Sequence, residues 1–186
     1  MTQPNRALDE KISRTIEDDI RSVTVLRANK LFTHALAAML SSIDKMAWLI
    51  TPGHESGGKE FKAWVDEYLI ADRTLPYTAD DLWAARCGLL HTGAAESRDY
   101  RKNDAKLIYY LFNDKRSDAE IMDFIEPYLQ NQEINPSKVT LVQYQDLLME
   151  YLDALGRFQD TLQSDAELHA RATEKAGWQI FFQVND

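Results

Sequence analysis

The segment from Thr78 to Gly93 constrains the fold more than any other part of the chain. Thr78 is a favourable N-cap residue, Asp81 stands where a capping box has its acidic partner, and Gly93 is a usual residue just after a last turn. The residues between are apolar around the whole circumference of the predicted helix: Leu82, Trp83, Ala84, Ala85, Cys87, Leu89 and Leu90. This pattern is typical of a helix surrounded by protein.

Arg86 interrupts this apolar helix, because it lies four residues after Leu82 and three before Leu89. A guanidinium there keeps its charge and needs an anionic partner, which makes it a costly residue for packing alone. His91 follows five residues later, so the two side chains point roughly 140° apart on an ideal helix. We expect them to meet only if the helix loosens near its end, or across a symmetric pair of subunits.

Arg86-x4-His91 resembles the signature of the HEPN superfamily, a group of helical domains in many bacterial toxins and defence proteins. Residues 43–49, IDKMAWL, and residues 58–69, GKEFKAWVDEYL, are similar to a bacterial HEPN-like family. The resemblance covers roughly residues 30–95 and implies a helical bundle. One position departs from the pattern: Cys87 stands where active HEPN ribonucleases usually carry a polar residue directly after the arginine.

The resemblance implies an endoribonuclease or toxin-type protein with Arg86 and His91 as catalytic residues, and it implies a homodimer. RNA and an antitoxin protein are the expected partners. Histidine can transfer protons near neutral pH and arginine can stabilise charge on phosphate, so this chemistry needs neither a metal nor a cofactor. The alternative is a non-catalytic HEPN-like interaction or nucleotide-sensing module in which Arg86 is structural, tied to an acid. Cys87 favours that alternative.

The composition limits the classes of partner. The 186 residues carry a net charge of −9, which opposes broad electrostatic attachment to nucleic acid or to an anionic membrane and also favours the alternative. The single cysteine allows no intrachain disulfide, and the residues after Met1 contain no apolar signal core. We therefore expect a cytoplasmic protein without a membrane span.

The other motifs are weaker indications of a functional site. Gly53-x4-Gly58-Lys59 nearly matches a phosphate-binding loop, but Glu60 replaces the required Ser or Thr and the preceding segment is predicted helical; Lys59 or Lys62 could still help to hold a phosphate. The other histidines show no metal-ligand spacing, and the four tryptophans are expected in the core. The local basic cluster, which we interpret as a solvated face, contains Arg98, Arg101, Lys102 and Lys106.

The remaining pattern predicts a mainly α protein with a polar segment at 1–17 and a single HEPN-like domain at 18–186. Helices are expected within 18–50, at 59–69, at 118–130 with Ile121, Phe124, Ile125 and Tyr128 inward, and at 139–162. Residues 106–112 are consistent with a strand or a helix, and 178–184 with a strand. We expect these last two segments to pair as a small two-stranded β appendage near the C-terminus.

Overall fold

The computed structural model describes residues 9–92, 100, 102 and 105–178, which are mainly helical. The α-helices of this part are α1 Glu10–Ala28, α2 Phe32–Ile50, α3 Gly58–Trp64, α4 Ala79–Thr92, α5 Asp118–Asn131, α6 Tyr144–Ser164 and α7 Ala166–Ala176. A π-helical segment, Val65–Ile70, continues α3, and the strands are β1 Leu107–Leu111 and β2 Val139–Gln143. The predicted mainly α class with a small two-stranded sheet is confirmed.

The contacts divide the chain into two compact units, one of residues 1–64 with 153–186 and one of residues 65–152. The predicted single domain over 18–186 stays a prediction. No helix in the described ranges is long and apolar enough to cross a membrane.

In the first unit, α1 packs against α2, and α1 begins before the predicted start at Asp18. The backbone N–H of Lys11 donates to the Asp9 carboxylate, so Asp9 caps the helix. Ile12 and Ile16, one helical turn apart, are fully buried. The Asp9 cap and the burial of Ile12 and Ile16 together explain why the polar residues around them form a helix.

The sequence pattern did not predict α7. Side chains of this helix cap the C-terminal end of α2. The Lys175 ammonium donates to the carbonyl oxygens of Trp48 and Thr51, each at 2.6 Å, and Arg171 Nη1 donates to that of Ile50 at 2.7 Å. Carbonyls at a helix end lack the N–H partners of the next turn, and these two cations donate to them in addition to the Thr51 N–H, which donates to the Trp48 carbonyl. Burial lowers the pKa of Lys175 from its ordinary value.

In the second unit, β1 and β2 form a parallel pair with Leu107 opposite Val139 and Leu111 opposite Gln143. Helix α5 lies between them in the sequence, as a parallel connection requires. Residues 107–111 thus form a strand, and its partner in the described part of the chain is β2; the predicted pairing with 178–184 stays a prediction. Trp178 lies in a turn, half-exposed rather than in the core, and residues 179–184 lie outside the described residues.

The prediction of a helix over 139–162 is wrong for its first five residues, which form β2. Thr140 and Val142 are buried while their neighbours are only partly so, which is the two-residue alternation of a strand. Helix α6 starts directly afterwards at Tyr144. The β-branched residues Val139, Thr140 and Val142 favour the extended conformation once β1 offers hydrogen bonds.

Helix α5 has the predicted bounds within one residue, but two of its aromatic residues face outward. Ile121 and Leu129 are buried, whereas Phe124 is 69% and Tyr128 56% exposed. The buried stripe follows a four-residue spacing through Ile125, and Phe124 and Tyr128 lie one residue before it on the next face. The expected inward orientation of Phe124 and Tyr128 is therefore wrong.

Candidate active site at the end of helix α4

The first turn of α4 is fixed by the predicted capping box. The Asp81 carboxylate accepts from the Thr78 backbone N–H at 2.9 Å, and the Asp81 N–H donates to the Thr78 hydroxyl at 3.2 Å. The second carboxylate oxygen of Asp81, which is almost fully buried, accepts from the Lys106 backbone N–H. One side chain thus ties the start of α4 to the residue before β1.

Burial decreases along α4 toward its C-terminal end. Leu82, Ala84 and Ala85 are buried, as the apolar pattern predicted. Trp83 is half-buried, the later residues Arg86, Cys87, Leu89 and Leu90 are half-buried around the buried Gly88, and His91 is exposed. The expectation of a helix enclosed on every side is therefore wrong for this half, and the Arg86 guanidinium is not deeply buried. Gly93 lies outside the described residues.

Arg86 and His91 contact each other without any loosening of the helix. Arg86 Nη1 lies 3.3 Å from His91 Nε2, although α4 continues to Thr92. The expectation that the side chains would not meet on a regular helix is wrong because it considered only their directions from the axis. An arginine side chain is long enough to bring its donors round the helix to an imidazole one and a half turns away.

Trp83 completes the group, since the Arg86 guanidinium carbon lies 5.1 Å from the centroid of its ring. Trp83 and Arg86 are three residues apart and thus neighbours on the helix surface. This is the distance of a cation–π contact. The sequence interpretation placed Trp83 in the core, although the three-residue spacing of an aromatic residue and an arginine could have indicated the contact.

The Arg86–His91 contact sets a condition on the tautomer of the imidazole. A guanidinium can only donate hydrogen bonds, so His91 Nε2 must present a lone pair to it. A hydrogen bond of this kind requires the tautomer with its proton on Nδ1. The ring is exposed, so Nε2 can exchange its arginine partner for an incoming hydroxyl group.

The weaker sequence candidates lie elsewhere. Helix α2 precedes the Gly53–Gly58 segment, so the predicted helix there is confirmed and the strand of a phosphate-binding loop is not present at this place. Lys59 and Lys62 lie on α3 in the first unit. Lys102 and Lys106 of the basic cluster are exposed. Arg98 and Arg101 lie outside the described residues.

The described end of α4 thus offers an imidazole, a guanidinium, an indole and the half-buried Cys87 thiol. Within the ranges that the structure describes, no group of three or more histidine, cysteine or acidic side chains could hold a metal ion. Comparisons with protein-family models, with curated proteins and with solved structures found no significant match to this chain.

Proposed function

We propose that this protein is a metal-independent endoribonuclease of HEPN-like type in which Arg86 and His91 act on the RNA backbone. The observation that carries the proposal is the 3.3 Å contact between Arg86 and His91 at an exposed helix end. A proton-transfer group and a phosphate-binding cation lie side by side there. The resemblance of the Arg86-x4-His91 signature supports the same chemistry.

In the proposed reaction, His91 Nε2 takes the proton of a ribose 2′-hydroxyl. The 2′-oxygen attacks the adjacent phosphorus, the bond to the 5′-oxygen of the next nucleotide breaks, and that oxygen takes a proton, which a protonated imidazole supplies. The products are a 2′,3′-cyclic phosphate and a 5′-hydroxyl end. Nε2 is suited to the first step because the contact with Arg86 requires its lone pair to be free of a proton.

Arg86 would bind the non-bridging phosphate oxygens. Hydrogen bonds between a guanidinium and phosphate are charge-assisted and frequently paired, so phosphate is a stronger partner than a neutral imidazole. Moving to the phosphate would release His91 Nε2 for the hydroxyl. The same cation would then stabilise the negative charge that develops in the transition state.

The homodimer and the antitoxin belong to this proposal as its protein partners. A two-fold axis near the end of α4 would bring two Arg86–His91 pairs to one cleft, so that one His91 accepts a proton while the other supplies one. Such a contact would be isologous. An antitoxin protein would keep a toxin of this type inactive.

A second candidate function is a non-catalytic interaction module. Phe124 and Tyr128, one helical turn apart on α5, expose most of their surface, and exposed aromatic residues are enriched where proteins bind partners. Cys87, in the position of the usual polar residue, also favours this function. Arg86 would then stabilise the conformation of α4 rather than take part in a reaction.

The test is cleavage of a fluorescently labelled RNA by purified protein in the presence of EDTA. We expect products with cyclic-phosphate ends. His91→Ala should lower the rate by about 10²-fold or more through lost proton transfer. Arg86→Ala should lower it by a similar factor through lost charge stabilisation. His34→Ala is the matched control, because His34 is an exposed histidine on α2.

Thermal melting must first establish that each variant is folded. Equal cleavage by the wild type and His91→Ala would assign the activity to a contaminant or to another site. Cleavage abolished by EDTA would contradict the metal-independent reaction. If no variant cleaves RNA, the interaction module replaces the nuclease.

A further inference from the structure

The Arg86 guanidinium is shared by two rings on α4. Its carbon lies 5.1 Å from the Trp83 ring centroid, and its Nη1 lies 3.3 Å from His91 Nε2. Trp83 precedes Arg86 by three residues and His91 follows it by five. One flat cation therefore connects an indole face to the imidazole.

The two contacts use different parts of the guanidinium. A cation–π contact engages the positive charge above the ring, while the N–H donors form hydrogen bonds in the guanidinium plane. A guanidinium stacked on an indole can thus keep its N–H groups directed at another acceptor. The indole also restricts an otherwise flexible side chain, which reduces the conformational freedom that a hydrogen bond must overcome.

We propose that Trp83 is a positioning residue that holds Arg86 in reach of His91 Nε2 and keeps its donors in place when a phosphate replaces the imidazole. The effect of Trp83 on catalysis rests on the proposed ribonuclease function. The effect of Trp83 on the position of Arg86 does not, because the contact of Arg86 with His91 exists in the protein without RNA.

The tautomer of His91 reports directly whether Trp83 positions Arg86. Free neutral histidine prefers the tautomer with its proton on Nε2. The Arg86 contact requires the opposite tautomer, with the proton on Nδ1. The tautomer of His91 thus reports whether Arg86 is held against it, independently of any RNA cleavage.

The experiment is ¹⁵N NMR of histidine-labelled protein at about pH 8.5, where an ordinary imidazole is neutral. We expect the wild type to carry the His91 proton mainly on Nδ1. Trp83→Leu should shift His91 toward the Nε2-protonated form, as should Arg86→Gln. Trp83→Phe retains an aromatic face and should retain the wild-type tautomer.

Phe124→Leu is the matched control. Phe124 also stacks with an arginine, since the Arg116 guanidinium carbon lies 4.6 Å from its ring centroid, and it lies on α5 in an exposed position. Removing that contact should leave His91 unchanged. If Trp83→Leu does not fold, fluorinated tryptophans incorporated into the wild type weaken the cation–π contact at nearly constant shape and should produce the same shift in graded form.

RNA cleavage separates this inference from the proposed function. We expect Trp83→Leu to lower kcat about tenfold or more because Arg86 loses its position, and Trp83→Phe to restore most of it. If the wild type cleaves no RNA, the ribonuclease fails and the NMR result alone decides the role of Trp83. An unchanged His91 tautomer in Trp83→Leu, or under fluorination if that variant does not fold, overturns the inference even if the wild type is an active nuclease.

Discussion

Asp81 shows how one carboxylate can serve two elements that are distant in the sequence. Its two oxygens accept from the backbone N–H groups of Thr78 and Lys106, so one completes a helix cap and the other orients the chain before β1. The carboxylate itself lies in a nearly dry environment, because Asp81 is only 3% exposed, whereas Thr78 and Lys106 are exposed residues. Such a group stabilises the fold because a buried carboxylate needs hydrogen-bond donors, and these two N–H groups supply them.

Asp81→Asn should therefore lower the free energy of unfolding by about 1–3 kcal/mol, since the amide nitrogen replaces one acceptor oxygen with a donor. Urea denaturation followed by circular dichroism measures this change. Asp80→Asn, at the exposed neighbouring position, is the control and should have a smaller effect. Equal midpoints for both variants would contradict the role of Asp81.

At this scale, the sequence predicted contacts that depend on spacing along one helix turn. The capping box of Thr78 and Asp81 followed from their separation of three residues. The bond from Lys106 to Asp81 could not be predicted, because it depends on how the chain returns after 25 residues. The Arg86–His91 contact was also missed, since helix geometry gives the direction of a side chain but not its reach.

Among the elements, the end of α2 depends on side chains of α7 rather than on its own sequence. Its C-cap residue is Thr51, and no basic residue lies in its last turn. Lys175 and Arg171 supply the missing positive charge and the donors. The cost of burying Lys175, visible in its lowered pKa, is offset by two short hydrogen bonds.

Lys175→Met keeps a similar length and apolar stem but removes the donors from the carbonyls of Trp48 and Thr51. We expect the free energy of unfolding to fall by about 1–3 kcal/mol. Lys115→Met makes the same chemical change at an exposed position and should change it by less than about 0.5 kcal/mol. Chemical denaturation of both variants measures the difference, and a stability of Lys175→Met equal to the wild type would refute the capping role.

The elements that could be predicted are those with one dominant periodicity or a recognisable helix cap. The spacing of apolar residues identified α2, whereas α4, apolar on every side, was identified by its capping box. The strand character of 107–111 was one of two alternatives. β2 was missed because its five residues run directly into α6, so the helical period of the longer element masked the shorter one. Pairing with β1, which is remote in sequence, decides its conformation.

For the whole molecule, the net charge sets the conditions under which two copies can associate. Each copy carries −9, so two copies repel each other at low ionic strength. Salt screens this repulsion: the Debye length falls from about 30 Å at 0.01 M to about 8 Å at 0.15 M. The proposed homodimer should thus be more populated at the higher ionic strength.

Sedimentation equilibrium at these two salt concentrations measures the dimer fraction. Leu90→Lys, at the half-buried end of α4, should prevent association, because it would introduce a charge near the proposed two-fold axis. Leu31→Lys, at an exposed position between α1 and α2, should leave it intact. A wild type that stays monomeric at high micromolar concentration in both salts would rule out the proposed dimer.

The first unit is assembled from two stretches of chain that are separated by the whole of the second. On a ribosome, α1 and α2 are made before the second unit, but α7, which packs against both, is made after it. More than half of the chain separates α2 from Lys175. The carbonyls at the end of α2 therefore gain this donor only after that stretch has been synthesised. Residues 65–152 form one uninterrupted stretch, so the second unit is completely synthesised before Lys175 is made. Vectorial synthesis thus leaves α1 and α2 without their contacts to α7 until the second unit has been made.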